Sequence, residues 1–176
     1  MSLYYAILNK ATLLPKTIVM IILPELIWNQ LLREFRRSWR RVEQVAYLDG
    51  VETEAVAIVT TMTFPNAILQ RGGFSVPASS MSQAGQHLGP LARIAQVHTH
   101  PGEWVGHSGT DNEQAYSKHD GAVSIVIPNY GKAVQTMSNV GIHVCKNHKW
   151  RMLAASEKES FLRIVPTLLD FRRSWL

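Results

Sequence analysis

The chain has 176 residues, the size of one ordinary domain, and we expect a single domain over 1–176 that buries its core without disulfides. Apolar residues make up 46% of the sequence and charged residues 18%, and because the net charge is +5, acidic side chains number only 13. A lone cysteine, Cys145, excludes an internal disulfide framework and indicates a reducing, cytoplasmic environment, and we expect it to be a buried strand residue rather than a reactive thiol.

The first predicted element is a strand at 17–23, which is dense in Ile, Val and Leu. This apolar run is far shorter than the roughly 20 residues that cross a membrane, so no membrane association is expected. The first lysine comes only at position 10 and no small-residue cleavage site follows the run, which does not match a signal peptide. The role of residues 1–16 stays open between a strand, an arm for a partner and an expression artefact.

An amphipathic helix is predicted to begin at Pro24, because proline is favoured in the first turn of a helix. Its apolar positions recur every four residues, and the basic positions fall off that stripe. The apolar positions are Ile27, Leu31, Phe35 and Trp39, and the nearby arginines are Arg33, Arg36, Arg37, Arg40 and Arg41. The Arg33–Arg41 stripe is interpreted as a solvated helix face, with a docking surface for an acidic partner as the alternative. No nucleic-acid partner is expected, because no nucleic-acid-binding fold or aromatic–basic pattern accompanies this charge.

A hairpin is predicted next, with strands at 42–48 and 55–63 joined by a turn at Asp49-Gly50. The stretch 55–102 carries only two charged residues. It is therefore expected to supply core strands together with an uncharged surface that a partner can cover.

A short helix capped by Ser79 or Ser80 is predicted to run to Leu88, where Gly89-Pro90 stops it. An apolar strand with a polar end follows at 92–99.

The last third of the chain predicts a helix, a buried strand, a hairpin and a final helix with a break at a proline. These elements are 111–118, 122–127, 141–146 with 150–154, and 157–171 with the break at Pro166. The order of strands and helices along the chain predicts an α/β (α+β) sandwich built on one mixed sheet.

Two histidines lie at the end of the predicted strand 92–99, at positions i and i+2. His98 and His100 point to the same face of that strand, so their imidazoles can converge on one ion. After Pro101 the loop is long enough to return Asp111 at the start of the next helix as a third ligand. Two histidines and a carboxylate leave a fourth tetrahedral position for water, as in a catalytic zinc site that hydrolyses amides.

The full spacing is more specific than His-x-His alone. His98-Thr99-His100 is followed by seven residues, then Ser108, two residues and Asp111. This arrangement resembles the JAMM motif of the MPN+ (Mov34/MPN/PAD-1) zinc metalloproteases, and the resemblance extends over about 17–154. It implies a curved mixed sheet flanked by helices, MPN/cytidine-deaminase-like, and the binding of Zn²⁺ by His98, His100 and Asp111.

The resemblance also implies a general acid/base and a group that stabilises the tetrahedral intermediate. Glu43 fits the first role because Leu and Gly follow it five and seven residues later, whereas the alternatives Glu52 and Glu54 lack that pattern. Ser108 is implied to donate a hydrogen bond to the developing oxyanion, with a plain loop or helix-capping serine as the alternative.

Three other residues lie in the loop between the ligands. His107 and Glu103 fall outside the motif and are expected to face solvent. Trp104 is left open between touching the substrate and packing over its own neighbours.

The remaining histidines are less informative. His143, Cys145 and His148 form an alternative second metal cluster, since the first two share a strand face. His87 and His119 have no partner at a recognisable spacing and are expected at the surface or at helix ends.

The resemblance implies a zinc-dependent isopeptidase that cleaves after the C-terminus of a ubiquitin-like protein, in deconjugation or precursor maturation. It looks closest to compact prokaryotic members found with ubiquitin-like, E1-like and E2-like partners. The ten residues between Asp111 and the next strand leave no room for an insertion that holds ubiquitin in eukaryotic members. The alternatives are a peptidase that trims a sulfur-carrier protein or small peptide, and a metal-free MPN scaffold that binds partners through the arginine-rich helix.

Overall fold

The computed structural model describes residues 18–37, 41–132, 134 and 136–167. Within these residues ten strands and four α-helices alternate along the chain. The strands are β1 (Met20–Pro24), β2 (Val45–Glu52), β3 (Val56–Thr63), β4 (Ile68–Gln70), β5 (Gly73–Ser75), β6 (Ala92–Thr99), β7 (Val123–Ile127), β8 (Gly141–Lys146), β9 (Lys149–Met152) and β10 (Leu162–Val165). The helices are α1 (Glu25–Arg37), α2 (Ala78–Leu88), α3 (Gly109–Glu113) and α4 (Ala155–Phe161).

Eight of the described strands form one curved mixed sheet in the order β10-β1-β3-β2-β6-β7-β8-β9, and β4 and β5 form a separate hairpin. Parallel pairs join β1 to β10, β1 to β3 and β6 to β7, and the other pairs are antiparallel. The expected fold class, a mixed sheet flanked by helices, is confirmed. In the described part of the chain no helix combines the length and the apolar character that crossing a membrane requires.

Helix α1 covers one face of the sheet with an apolar stripe, as predicted, although the stripe is displaced. Trp28, Leu31, Leu32 and Phe35 are buried, while Ile27 is only half-buried. Trp39, expected on the same stripe, lies outside the described residues. The helix begins at Glu25, one residue after the expected Pro24, which ends β1 instead.

The predicted solvated face of α1 is confirmed for three arginines. Arg33, Arg36 and Arg37 are exposed, and Arg37 pairs with Glu34 at 3.2 Å. Arg41 is also exposed but follows the end of α1 at Arg37, and Arg40 lies outside the described residues.

The predicted turn at Asp49-Gly50 is wrong. Both residues lie inside β2, where the pairing with β3 shifts register between them, and the chain reverses only after Glu52. A Cβ at Gly50 would collide with the carbonyl oxygen of Ile58 on β3, so glycine is needed for a bulge rather than for a turn. Asp49 is buried and pairs with Arg93, which places a turn-forming residue type in the core.

The chain after residue 154 also differs from the expectation. In place of a helix over 157–171, α4 ends at Phe161 and β10 follows, pairing in parallel with β1. A four-residue strand at the edge of the sheet is difficult to recognise in sequence, because its partner lies some 140 residues earlier in the chain. Residues 168–171 lie outside the described part.

Two helix predictions need smaller corrections. The helix expected over 111–118 is α3, which covers only Gly109–Glu113. Helix α2 has the expected extent, but its N-cap is Pro77 and neither Ser79 nor Ser80 caps it.

Strand β6 is central to the arrangement of the site. It lies between β2, which is antiparallel to it, and β7, which is parallel, and the pairing sets Val45 and Val126 on either side of His98. The loop after β6 and the segment before β2 therefore meet at one end of the sheet, which is where parallel strands commonly place functional groups.

Candidate metal centre

The two motif histidines lie side by side at the carboxyl end of β6. His98 belongs to the strand and is fully buried, and His100 follows directly after it and is also buried. Their ring centroids are 5.1 Å apart. The i, i+2 spacing thus brings both imidazoles to one face, as predicted.

Asp111 completes the group from helix α3. Its Oδ1 lies 3.2 Å from Nε2 of His98, and its Oδ2 lies 3.3 Å from Nε2 of His100. One ligand atom from each of the three residues lies within 4.8 Å of the others. Among the described residues this is the one group of three or more His, Cys, Asp or Glu side chains close enough to hold an ion.

The orientation of His100 is set by the loop that follows it. Nδ1–H of His100 donates a hydrogen bond to the Trp104 carbonyl at 2.9 Å, which leaves the lone pair of Nε2 facing Asp111. The indole of Trp104 stacks on the imidazole at 5.3 Å while remaining 59% exposed. Of the two roles left open for Trp104, packing over its own neighbours is observed.

A turn after β7 is hydrogen-bonded to the loop that follows His100. The backbone N–H of Tyr130 donates to the His100 carbonyl, and that of Asn129 donates to the Gly102 carbonyl, both at 2.9 Å. Asn129 and Tyr130 adopt left-handed φ values of 52° and 53°, an unfavourable conformation for consecutive non-glycine residues. The surrounding fold therefore maintains a strained turn where it supports a candidate ligand.

Ser108 and Asp111 are bound to each other in a capping box. The Ser108 N–H donates to Oδ2 of Asp111 at 2.6 Å, and the Asp111 N–H donates to Oγ of Ser108 at 3.1 Å. The serine is therefore a helix cap. Since its Oγ uses one lone pair to accept this bond, its O–H remains able to donate to another group.

A cation fits the donors that are present. Neither ring nitrogen of His98 makes a hydrogen bond, although both are sealed from solvent, and an unpaired buried polar atom is costly. Two imidazole nitrogens and one carboxylate match the three protein ligands of a catalytic zinc site. The residues present are thus suited to a metal ion.

The electrostatics of two of the three side chains, His98 and Asp111, favour the protonation states that bind a metal ion, whereas those of His100 favour its protonated form. Burial lowers the pKa of His98 and outweighs the opposing effect of the nearby Asp111 carboxylate. Burial acts to raise the pKa of Asp111, but contacts with His100 and His98 and the Ser108 N–H outweigh it, so that pKa is well below its usual range. For His100, the contact with Asp111 and the bond to the Trp104 carbonyl overcome burial and raise its pKa.

Glu43 lies beside this group. It is buried just before β2, and burial raises its pKa to about 7, while His100 acts to lower it and Asp111 to raise it. The alternatives Glu52 and Glu54 lie at the other end of β2, since the strand pairs Val45 with His98 but Gly50 with Ala92. Of the three glutamates considered, the structure brings only Glu43 to the site.

Two histidines that pack against the site were missed from the sequence. His107, expected to face solvent, is half-buried and bonded on both nitrogens, to Oδ1 of Asn112 at 3.1 Å and Oγ of Ser124 at 2.9 Å. Its ring stacks on that of His143 at 4.1 Å and lies 5.9 Å from that of His98. Burial, with a further contribution from His143, lowers the pKa of His107 to about 4, so it is neutral at physiological pH.

His143 attaches the ligand-bearing loop to β8. Its Nε2–H donates to the Val105 carbonyl at 2.8 Å, and a Cβ at the neighbouring Gly141 would collide with the same carbonyl. No local spacing relates residues 105–107 to 141–143, so the sequence carries no signal for this contact. The alternative second metal cluster does not form, because Nε2 of His143 bonds to the Val105 carbonyl, whereas Sγ of Cys145 and Nδ1 of His148 both bond to the Lys118 carbonyl.

The other surface predictions agree with the structure. Glu103, His87 and His119 are exposed. Cys145 is a buried strand residue, as expected, and burial raises the pKa of its thiol.

The fold was compared with those of known proteins. No family model matches the chain. The solution structure of protein DSY2949 from Desulfitobacterium hafniense is similar, with a TM-score of 0.66 at 14% identity, over 85% of this chain and 95% of that chain. The crystal structure of AF2198, a JAB1/MPN domain protein from Archaeoglobus fulgidus, overlaps partially, with a TM-score of 0.45 at 14% identity, over 77% of this chain and 94% of that chain. At such identity the likeness to DSY2949 is one of fold.

Proposed function

We propose that this protein is a zinc-dependent peptidase that hydrolyses the amide bond after the C-terminus of a ubiquitin-like protein, either from a target lysine or in a precursor. The observation that carries the proposal is the buried group of His98, His100 and Asp111 with Glu43 beside it. A structural role alone would not require two imidazoles, a carboxylate and a buried glutamate to converge at one end of a sheet.

His98, His100 and Asp111 would hold the ion, and Zn²⁺ bound there would supply an acidified water and a Lewis acid for the scissile carbonyl. Glu43 takes the proton of the attacking water and passes it to the departing amine, a task that suits a pKa near the working pH. The O–H of Ser108 is free to donate to the oxygen on which negative charge develops. This chain therefore offers a base, an acid and an oxyanion donor around one point.

The β4–β5 hairpin is the surface on which we propose that an extended substrate tail binds. It carries the exposed side chains of Ile68 and Leu69, 59% and 40% accessible, and the Glu43 N–H donates to the Gln70 carbonyl at 2.7 Å. A tail lying along this hairpin would gain main-chain hydrogen bonds and reach the site beside Glu43. The motif resemblance further suggests E1-like and E2-like partners, and the single cysteine favours a cytoplasmic location.

The test is cleavage of a ubiquitin-like protein fused through its C-terminal tail to a reporter. We expect cleavage with zinc, loss of cleavage in a chelator, and loss of at least about 100-fold in kcat in Glu43→Gln. Glu54→Gln removes an exposed carboxylate near the same strand and serves as the matched control.

Cleavage that persists in the chelator, or that Glu43→Gln leaves unchanged, contradicts the mechanism. Cleavage that ignores the length of the tail identifies a small-peptide or sulfur-carrier peptidase instead. Protein purified without chelator that contains no metal and cleaves nothing supports the scaffold alternative.

A further inference from the structure

A groove of about 530 Å³ lies at the opposite side of β6 from Glu43 and the β4–β5 hairpin. Its lining comes from the ligand-bearing loop, helix α3 with the segment after it, and the β8–β9 hairpin. The lining residues are Gly106, His107, Asn112, Lys118, His143, His148, Lys149, Trp150 and Met152. This size is typical of sites that bind small ligands or short peptide segments.

The groove adjoins the candidate metal centre through a shared wall. His107 lines it, and the same imidazole lies 5.9 Å from the His98 ring. On the other side His107 stacks on His143 and lies 4.9 Å from the ring of Trp150. A chain that crosses the metal centre from the β4–β5 hairpin would therefore enter this groove next.

One border of the groove is an open strand edge. Strand β9 is the last strand of the sheet, and among the described residues no strand pairs with its outer side. Lys146 and Lys149 pair across the two-residue turn, and the Leu153 N–H donates to the Ile142 carbonyl at 2.8 Å. In an antiparallel pair alternate residues bond to the partner strand, so when residues 149 and 153 bond to β8 the backbone N–H and C=O groups of Trp150 and Met152 point outward. An added strand can bond to these groups.

The composition of the lining selects the kind of peptide. Lys118 and Lys149 line the groove and no carboxylate does. The floor is apolar where Trp150 packs and where the side chain of Met152 is 49% exposed. A basic groove with an apolar floor and a free strand edge is complementary to an extended chain with acidic side chains, whereas nucleic acid has no main-chain groups to pair with a strand.

We propose that this groove binds an extended acidic peptide segment, which adds to the edge of β9 beside Lys118 and Lys149. Resting on the proposed function, the inference further assigns this segment to the part of the substrate that follows the scissile bond. The tail of the ubiquitin-like protein then lies on the β4–β5 side and the leaving segment on the β9 side.

Binding is measured first, without catalysis. Fluorescence anisotropy follows a labelled peptide that alternates glutamate and valine, added to the full-length Glu43→Gln protein in a chelator. We expect the glutamate peptide to bind roughly tenfold more tightly than the same peptide with glutamine, and its affinity to fall with salt. Lys118→Gln with Lys149→Gln should weaken binding about fivefold or more, whereas Lys132→Gln with Arg163→Gln, an equal loss of charge elsewhere, should not.

The strand edge is tested separately with Met152→Pro, which removes one outward N–H, against Met152→Leu. Proline should weaken binding of the peptide and leucine should not. If Met152→Pro fails to fold, the lysine pair still decides the outcome. Equal binding of the glutamate and glutamine peptides, or equal effects of the two charge-removing pairs, overturns the inference, as does tighter binding of a single-stranded oligonucleotide in the same groove.

A cleavage assay then distinguishes this inference from the proposed function. Two fusions, which carry either glutamates or glutamines after the scissile bond, are compared with each other as substrates of the zinc-loaded wild-type protein. The inference predicts a roughly tenfold higher kcat/KM for the glutamate fusion, lost in the lysine-pair variant. Equal cleavage of both fusions refutes the assignment of the leaving segment and leaves the proposed function standing. Binding of the acidic peptide without any cleavage supports the peptide-binding groove and refutes the proposed function.

Discussion

Adding zinc to the metal-free protein is expected to raise its melting temperature, because the folded chain alone brings His98, His100 and Asp111 within 4.8 Å of one another. An ion that binds only the folded state stabilises it by about 2.7 kcal/mol at a free concentration 100 times the Kd. For a domain of this length each kcal/mol raises the melting temperature by about 2–4 °C. The wild-type protein should therefore gain about 5–11 °C.

His98→Gln removes one of the three ligands and should weaken zinc binding by at least about 100-fold. At the same zinc concentration the ion then stabilises the variant by about 0.4 kcal/mol, which corresponds to about 1–2 °C. Differential scanning fluorimetry over a zinc titration measures both shifts.

Two controls make the result specific. His119→Gln changes an exposed histidine and should keep the full shift, and so should Glu43→Gln, since this glutamate lies beside the ligands and is not one of them. A wild-type protein that zinc does not stabilise, or a His98→Gln variant with an undiminished shift, would refute the assignment of the ligands.

Three further predictions concern the scaffold. Gly141→Ala should destabilise the protein by about 1–3 kcal/mol in urea unfolding, because the new methyl group collides with the backbone of the ligand-bearing loop. Gly85→Ala, which adds a methyl group in open space within α2, should be neutral or stabilise by up to about 1 kcal/mol, and a comparable loss in both variants contradicts the reasoning. Arg93→Met leaves the buried carboxylate of Asp49 without its partner and should cost about 3 kcal/mol in the same assay, whereas an unchanged midpoint would show that the ion pair contributes little. The thiol of Cys145 should react with Ellman's reagent only as the protein unfolds, because it is buried and its pKa is raised, and rapid labelling of the native protein would contradict this.

Several features of the fold depend on the local sequence and could be predicted from it. Strands β6 and β8 have the predicted bounds, because each is an apolar run with polar or glycine boundaries. Helix α1 buries an apolar stripe as predicted, although the stripe follows the three- and four-residue spacing of Trp28, Leu31, Leu32 and Phe35, and Ile27 is only half-buried. Local signals misled where tertiary contacts overrode them, as at Asp49-Gly50, which forms a bulge against β3 rather than a turn.

The candidate ligands could be predicted from the sequence alone, because the i, i+2 spacing places His98 and His100 on one strand face and the loop after Pro101 is long enough to return Asp111. Glu43 was selected among three glutamates through the resemblance to the JAMM family, because Leu and Gly follow it five and seven residues later. Only the tertiary structure decided how these groups are supported: His107 bonded to Ser124, His143 bonded to Val105, and the groove along β9. These contacts join segments some 20 to 40 residues apart across β7 and β8, and no spacing in one sequence records which strands become neighbours.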